Sequence, residues 1–148
     1  MELFIQPAIA SHRCRITGNL QDLEAAIVHA ETAVEAIPEG HPYKANILNN
    51  LGNMLSSRYE QTGNLQDLET AIVHAEAAVE TTPEDHPAKA GCLNNLGIRL
   101  FYRYKRTGNL QDLEAAIAHA EAAVEATPED HPDKARFLLN YGNFTLLL

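Results

Sequence analysis

The string Thr17-Gly-Asn-Leu-Gln-Asp-Leu-Glu24 occurs three times, beginning at Thr17, Thr62 and Thr107. Both intervals, 17 to 62 and 62 to 107, are 45 residues, and residues 17–61 and 62–106 are identical at 31 of 45 positions. Residues 107–148 form a third copy that stops three residues short. A fixed period of this size predicts a repeat architecture, in which each unit buries its apolar face against the next. Upstream, residues 9–17 align loosely with 54–62, so 1–16 read as an incomplete repeat helix. The expected organisation is one continuous domain over 17–148, built from units 17–61, 62–106 and 107–148.

Each unit reads as two helices. Asn19 stands as an N-cap, with Asp22 and Glu24 near the positive end of the helix dipole. Leu20, Leu23, Ile27, Ala30 and Val34 then recur at intervals of three and four, widened by Ala26 and Ala33 into one helical face. Pro38 ends that helix. Prolines 42, 87 and 132 suit the first turn of the following one, where no N–H is needed. The second helix carries Ala45, Leu48, Leu51, Leu55 and Tyr59, and Gly63 suits a left-handed cap. No alternating β-branched run survives between the breakers. The chain is expected to be all-α, made of antiparallel helix pairs.

Leu48-Asn-Asn-Leu-Gly52, followed by Gly63, Ala71, Ala78 and Pro83, resembles the tetratricopeptide repeat (TPR) family. The small residues at Gly52 and Ala71 let paired helices approach closely, and leucines fill the seam. The unit exceeds the usual length of about 34 residues, which implies longer helices. In this it is similar to the long variants of kinesin light chains and of extended fungal arrays. The resemblance implies a TPR-like α-hairpin solenoid with right-handed superhelical stacking. It also implies a non-enzymatic scaffold that binds a protein or peptide segment.

Composition narrows the function. The net charge of −9, with 11 Lys and Arg against 20 Asp and Glu, argues against a nucleic-acid binder. No apolar run approaches the roughly 20 residues that span a bilayer, and the first residues lack a basic leader. With two cysteines, Cys14 and Cys92, no disulfide framework exists, and both read as buried small hydrophobes in a cytoplasmic protein. His29, His74 and His119 share one helix position, and His41, His86 and His131 share one loop position. Equivalent positions in neighbouring repeats are roughly 10 Å apart. Zinc ligands instead converge within about 2.1 Å of the ion, so no metal site is expected. The helix histidines read as surface groups and the loop histidines as caps for the helix that follows. Without a nucleophile elbow, P-loop or dinucleotide fingerprint, neither catalysis nor a cofactor is expected. The basic run Phe101-Tyr-Arg-Tyr-Lys-Arg106 is read structurally: Arg58 and Arg103 recur in register and should pair with acids of the repeat.

Three surfaces are candidates for binding. Glu24, Glu31 and Glu35 recur as Glu69, Glu76 and Glu80 and as Glu114, Glu121 and Glu125, an acidic stripe read mainly as a solvated face. By resemblance, the helix bearing Leu-Asn-Asn-Leu-Gly lines a groove. Its positions are Asn46, Asn49, Asn53, Ser56 and Ser57 in one copy, and Gly91, Asn94, Ile98, Phe101 and Tyr102 in the next. Positions 46/91, 53/98, 56/101 and 57/102 differ between copies while most seam positions repeat. Asn49 and Asn94 are expected to bond a peptide backbone, with Phe101 and Tyr102 as apolar anchors. Finally, the last helix is apolar nearly all round. Leu138, Tyr141, Phe144, Leu146, Leu147 and Leu148 form an expected self-association patch, giving a dimer or a head-to-tail filament.

Overall fold

The computed structural model describes residues 20–148. The incomplete helix at 1–16, the Asn19 cap and Cys14 lie outside the described residues. Six helices follow in order: α1 Leu20–Ala36, α2 Lys44–Thr62, α3 Leu65–Thr81, α4 Lys89–Thr107, α5 Leu110–Glu125 and α6 Lys134–Thr145. No strand occurs among the described residues. The protein is an all-α assembly of TPR-like helical hairpins, as the periodicity predicts. It divides between Thr81 and Thr82 into two compact units, α1–α3 and α4–α6.

In the first unit α2 packs against both α1 and α3. Its core joins Leu23, Ala26, Ile27 and Ala30 of α1 to Leu51, Met54 and Leu55 of α2 and Ala71 of α3, with Leu20 and Val34 at the edge. Those are members of the predicted stripes, plus Met54; of the rest of the α2 stripe Leu48 is buried, and Ala45 and Tyr59 are half-buried. Each buried leucine contributes about 1.5–3 kcal/mol. In the second unit α5 packs against α4 and α6, and α4 also touches α6. Leu93, Leu96 and Leu100 of α4, Leu113, Ala116, Ala120 and Ala123 of α5, and Phe137 and Phe144 of α6 are all buried. Gly97 is where helices crowd: a Cβ there would lie 3.2 Å from the Ala116 carbonyl oxygen.

The recurring Thr-Gly-Asn string is the hairpin turn itself. Gly63 and Gly108 adopt φ of 74° and 76° and donate their N–H groups to Tyr59 and Tyr104 carbonyls, each at 2.7 Å. The Thr62 hydroxyl donates to the Arg58 carbonyl at 2.9 Å and accepts from the Asn64 N–H at 3.2 Å. Asn64 and Asn109 then cap the next helix, each accepting at Oδ1 from the N–H two residues on, at 3.0 Å. Across the turn, Arg58 grips Asp67 and Arg103 grips Asp112 through two parallel bonds of 2.9 Å each. The expected pairing of these arginines with repeat acids is therefore present, in bidentate form.

The longer connections carry a second device. His41, His86 and His131 accept at Nδ1 from the N–H of Tyr43, Ala88 and Asp133, at 3.1, 3.0 and 3.0 Å. Each histidine acts as an N-cap with proline at the next position, although regular helix begins only at Lys44, Lys89 and Lys134. The lysines that open these helices reach back to backbone carbonyls, Lys44 and Lys134 to the preceding helix end. Lys44 Nζ donates to the Val34 and Ile37 carbonyls at 2.8 and 3.0 Å, and Lys134 Nζ to those of Val124 and Thr127 at 2.8 and 2.9 Å. Lys89 Nζ donates to the Thr82 carbonyl at 3.0 Å. A cation here satisfies orphan carbonyls and opposes the negative end of the helix dipole.

Candidate functional site

On α2, Asn46 is exposed and accepts a bond from Asn50 at 3.1 Å. Asn49 and Asn53 are half-buried one and two turns on, so the three form a polar row along the helix. Ser56 and Ser57, expected further along it, are buried. Their hydroxyls suit a tight seam rather than an open face.

On α4 the predicted residues separate. Ile98, Phe101 and Tyr102 are half-exposed. Phe101 stacks on Phe144 at 4.6 Å with a 24° tilt and lies 6.5 Å from the rings of both Tyr102 and Tyr104. The Lys105 ammonium sits 5.6 Å from the Phe101 centroid. Asn94, by contrast, is 1% exposed, and its Oδ1 accepts from Asn140 Nδ2 of α6 at 3.0 Å. It joins two helices instead of facing outward, which departs from the expectation of an open peptide-binding amide. Its Nδ2 is the one buried side-chain nitrogen or oxygen without a hydrogen-bond partner among the described residues.

The α6 patch is also redrawn. Phe144 is buried, because its ring fills the space beside Phe101 and Gly97. It is a core residue and not part of an exposed patch. Leu138, Leu146, Leu147 and Leu148 are exposed as expected, the terminal one at 71%. Tyr141 is half-exposed and donates to Glu121 Oε2 at 3.3 Å. That carboxylate, with Glu125, pushes the Tyr141 phenol above its usual range. Leu139, at 63% exposure, belongs to the patch and was not singled out. The signal was available: 139 is the register position of Asn49 and Asn94, so the third copy exchanges an amide for a leucine.

The acidic stripe is exposed in both units except for half-buried Glu69. Two of its members act on a local cation: Asp67, outside the stripe, chiefly holds the Arg58 guanidinium more firmly charged through its hydrogen bond, and Glu24 and Glu31 add to this. Partial burial pushes His74 below the ordinary imidazole range, against the opposing pull of Glu31. Cys92 is buried beside the Thr82 hydroxyl at 3.9 Å, and burial pushes its thiol up, as suits a packing residue. Among the described residues no group of three His, Cys, Asp or Glu side chains could hold a metal ion. No helix there is long and apolar enough to cross a membrane.

The repeat lysines were missed as caps, although Lys44, Lys89 and Lys134 share one register. Comparison with known families returns a profile described as tetratricopeptide repeat, matching residues 45–88 and 90–133. Each match opens on the Leu-Asn-Asn-Leu-Gly helix, runs through the Thr-Gly-Asn turn and closes on the proline loop. No curated protein matches the chain at a significant level.

Proposed function

The chain belongs to the tetratricopeptide repeat family, whose repeats mediate protein–protein interaction, and from that premise we propose that it is a non-enzymatic scaffold for an extended protein segment. The observation that carries this reading is copy-specific. Where α2 has buried Ser56 and Ser57, α4 presents half-exposed Phe101 and Tyr102 beside Ile98. Aromatic side chains held by neighbouring rings supply contact area at low entropic cost. The polar row Asn46, Asn49 and Asn53 offers amides to a peptide backbone on α2. A reducing, cytoplasmic setting suits the unpaired, buried Cys92. The test is recovery of bound protein by the wild type against Tyr102→Ala and Phe101→Ala/Tyr102→Ala, with helicity checked by circular dichroism. Folded variants that recover the same partners in the same yield would remove the anchor.

A second reading, self-association, is favoured by the five exposed leucines of α6 and the residues after it, Leu146 at 81% among them. Mass in solution across concentration tests it. A strict monomer at high micromolar concentration sinks it. An oligomer that survives Leu146→Asp/Leu147→Asp/Leu148→Asp rests on another surface.

A further inference from the structure

Where α4 exchanges the serines of α2 for aromatic rings, its charge changes too. Glu60 of α2 corresponds in register to Lys105 of α4, and Gln61 to Arg106, one turn beyond the change from Ser56 and Ser57 to Phe101 and Tyr102. α4 carries Lys89, Arg99, Arg103, Lys105 and Arg106 and no carboxylate. α6 carries Lys134 and Arg136 and likewise no carboxylate. The helix packed against both, α5, has Asp112, Glu114, Glu121 and Glu125 and no Lys or Arg. A chain of net charge −9 thus holds, in its second unit, two helices whose Lys, Arg, Asp and Glu side chains are all cationic.

Most of these cations have internal work. Arg103 grips Asp112, and Lys89 and Lys134 reach backbone carbonyls. Lys105 differs: it is exposed, its ammonium lies 5.6 Å from the Phe101 centroid, and it forms no ion pair among the described residues. Ile98, Tyr102 and Lys105, spaced four and three apart with Phe101 between them, share one face of α4. That face is firmly placed, because Phe144 stacks on Phe101 at 4.6 Å and Asn140 bonds Asn94 at 3.0 Å. An ammonium one turn beyond an apolar row is set to meet an anion that follows an apolar side chain. We infer that the segment bound on this row is acidic: one large apolar side chain lies against Ile98, Phe101 and Tyr102, and Asp or Glu beside it meets Lys105 and Arg106. An extended chain advances about 3.3 Å per residue and a helical turn about 5.4 Å, so the carboxylate stands about two residues from the apolar group. Beyond about 10 Å, ordinary salt screens the repulsion from carboxylates elsewhere on the chain. The inference rests on the scaffold reading and adds to it the charge of the partner.

The experiment titrates the full chain into short labelled peptides that differ only in charge: a central phenylalanine with glutamate, glutamine or lysine on either side. Fluorescence anisotropy should show saturable binding of the glutamate peptide in roughly the micromolar range, at least about tenfold tighter than the glutamine peptide. Salt should narrow that gap. Lys105→Glu restores the charge found at position 60. At an exposed site it should keep the helicity of the wild type while abolishing the preference for glutamate. Equal binding of the glutamate and glutamine peptides, a preference for lysine, or no binding of the glutamate peptide overturns the inference. So does a folded Lys105→Glu that still prefers glutamate. Phe101→Ala/Tyr102→Ala separates this from the scaffold reading. Binding that is blind to charge but lost in that pair leaves the aromatic anchor standing and removes only the acidic partner. Acidic binding indifferent to the pair removes both.

Discussion

Single side chains close the backbone at the connections between the described helices. The loop histidines illustrate it: His86 accepts the Ala88 N–H at Nδ1 and so takes the place of the usual Ser or Asp cap. His86→Ala should cost about 1 kcal/mol in chemical denaturation, and His86→Asn should recover most of it, because an amide oxygen reaches the same N–H. His74 differs in kind. Its imidazole is held below the ordinary range by partial burial, against Glu31. The unfolded chain therefore takes up a proton at a pH where the folded chain resists it. The stability tied to neutral His74 is full above about pH 6.5 and is lost as pH falls through the lowered value. Between about pH 7 and 5 the melting temperature of wild type should drop more than that of His74→Gln. A parallel pair of curves would refute the assignment.

Among helices, the contrast between Gly97 and Gly142 is the sharpest. Alanine suits a helix better than glycine by about 1 kcal/mol, and at Gly142 nothing opposes that gain. At Gly97 the new methyl meets the Ala116 carbonyl oxygen at 3.2 Å, and a helix backbone yields poorly. The two glycine-to-alanine variants should differ in stability by about 1–3 kcal/mol, read from denaturation midpoints. Asp112→Asn, which halves the grip on Arg103, should cost about 1–2 kcal/mol, since the carboxylate is buried and the guanidinium keeps some solvent. The helices and their stripes were legible because residues three and four apart share a face, and leucine and alanine mark it without ambiguity. The turn was legible as well, since Thr-Gly-Asn leaves few alternatives. Phe144 and Asn94 were not. Both lie on helices whose register was known, but a single helix does not reveal that Phe144 stacks on Phe101 or that Asn140 claims Asn94. Those contacts belong to pairs of helices some 45 residues apart in sequence.

For the molecule as a whole, the net charge of −9 and an isoelectric point near 5.1 set its behaviour in solution. Carboxylates on the helix surfaces oppose the approach of copies at neutral pH, against the pull of the exposed leucines after α6. As pH approaches 5 the repulsion fades and the apolar patch is left without an opponent. Solubility should pass through a minimum there. Leu146→Ser/Leu147→Ser/Leu148→Ser, which leaves charge unchanged, should lift that minimum, as turbidity against pH would record. An unchanged minimum would place the association elsewhere. The Arg–Asp clamp across each hairpin turn also bears on how the chain acquires its shape. Its partners are nine residues apart and close a connection of only two residues, so a nascent hairpin can form them after very little loss of chain entropy. Each hairpin then carries its own nucleation point. Asp112→Asn should show this by slowing refolding more than it hastens unfolding, which places the turn among the first parts of the protein to exist.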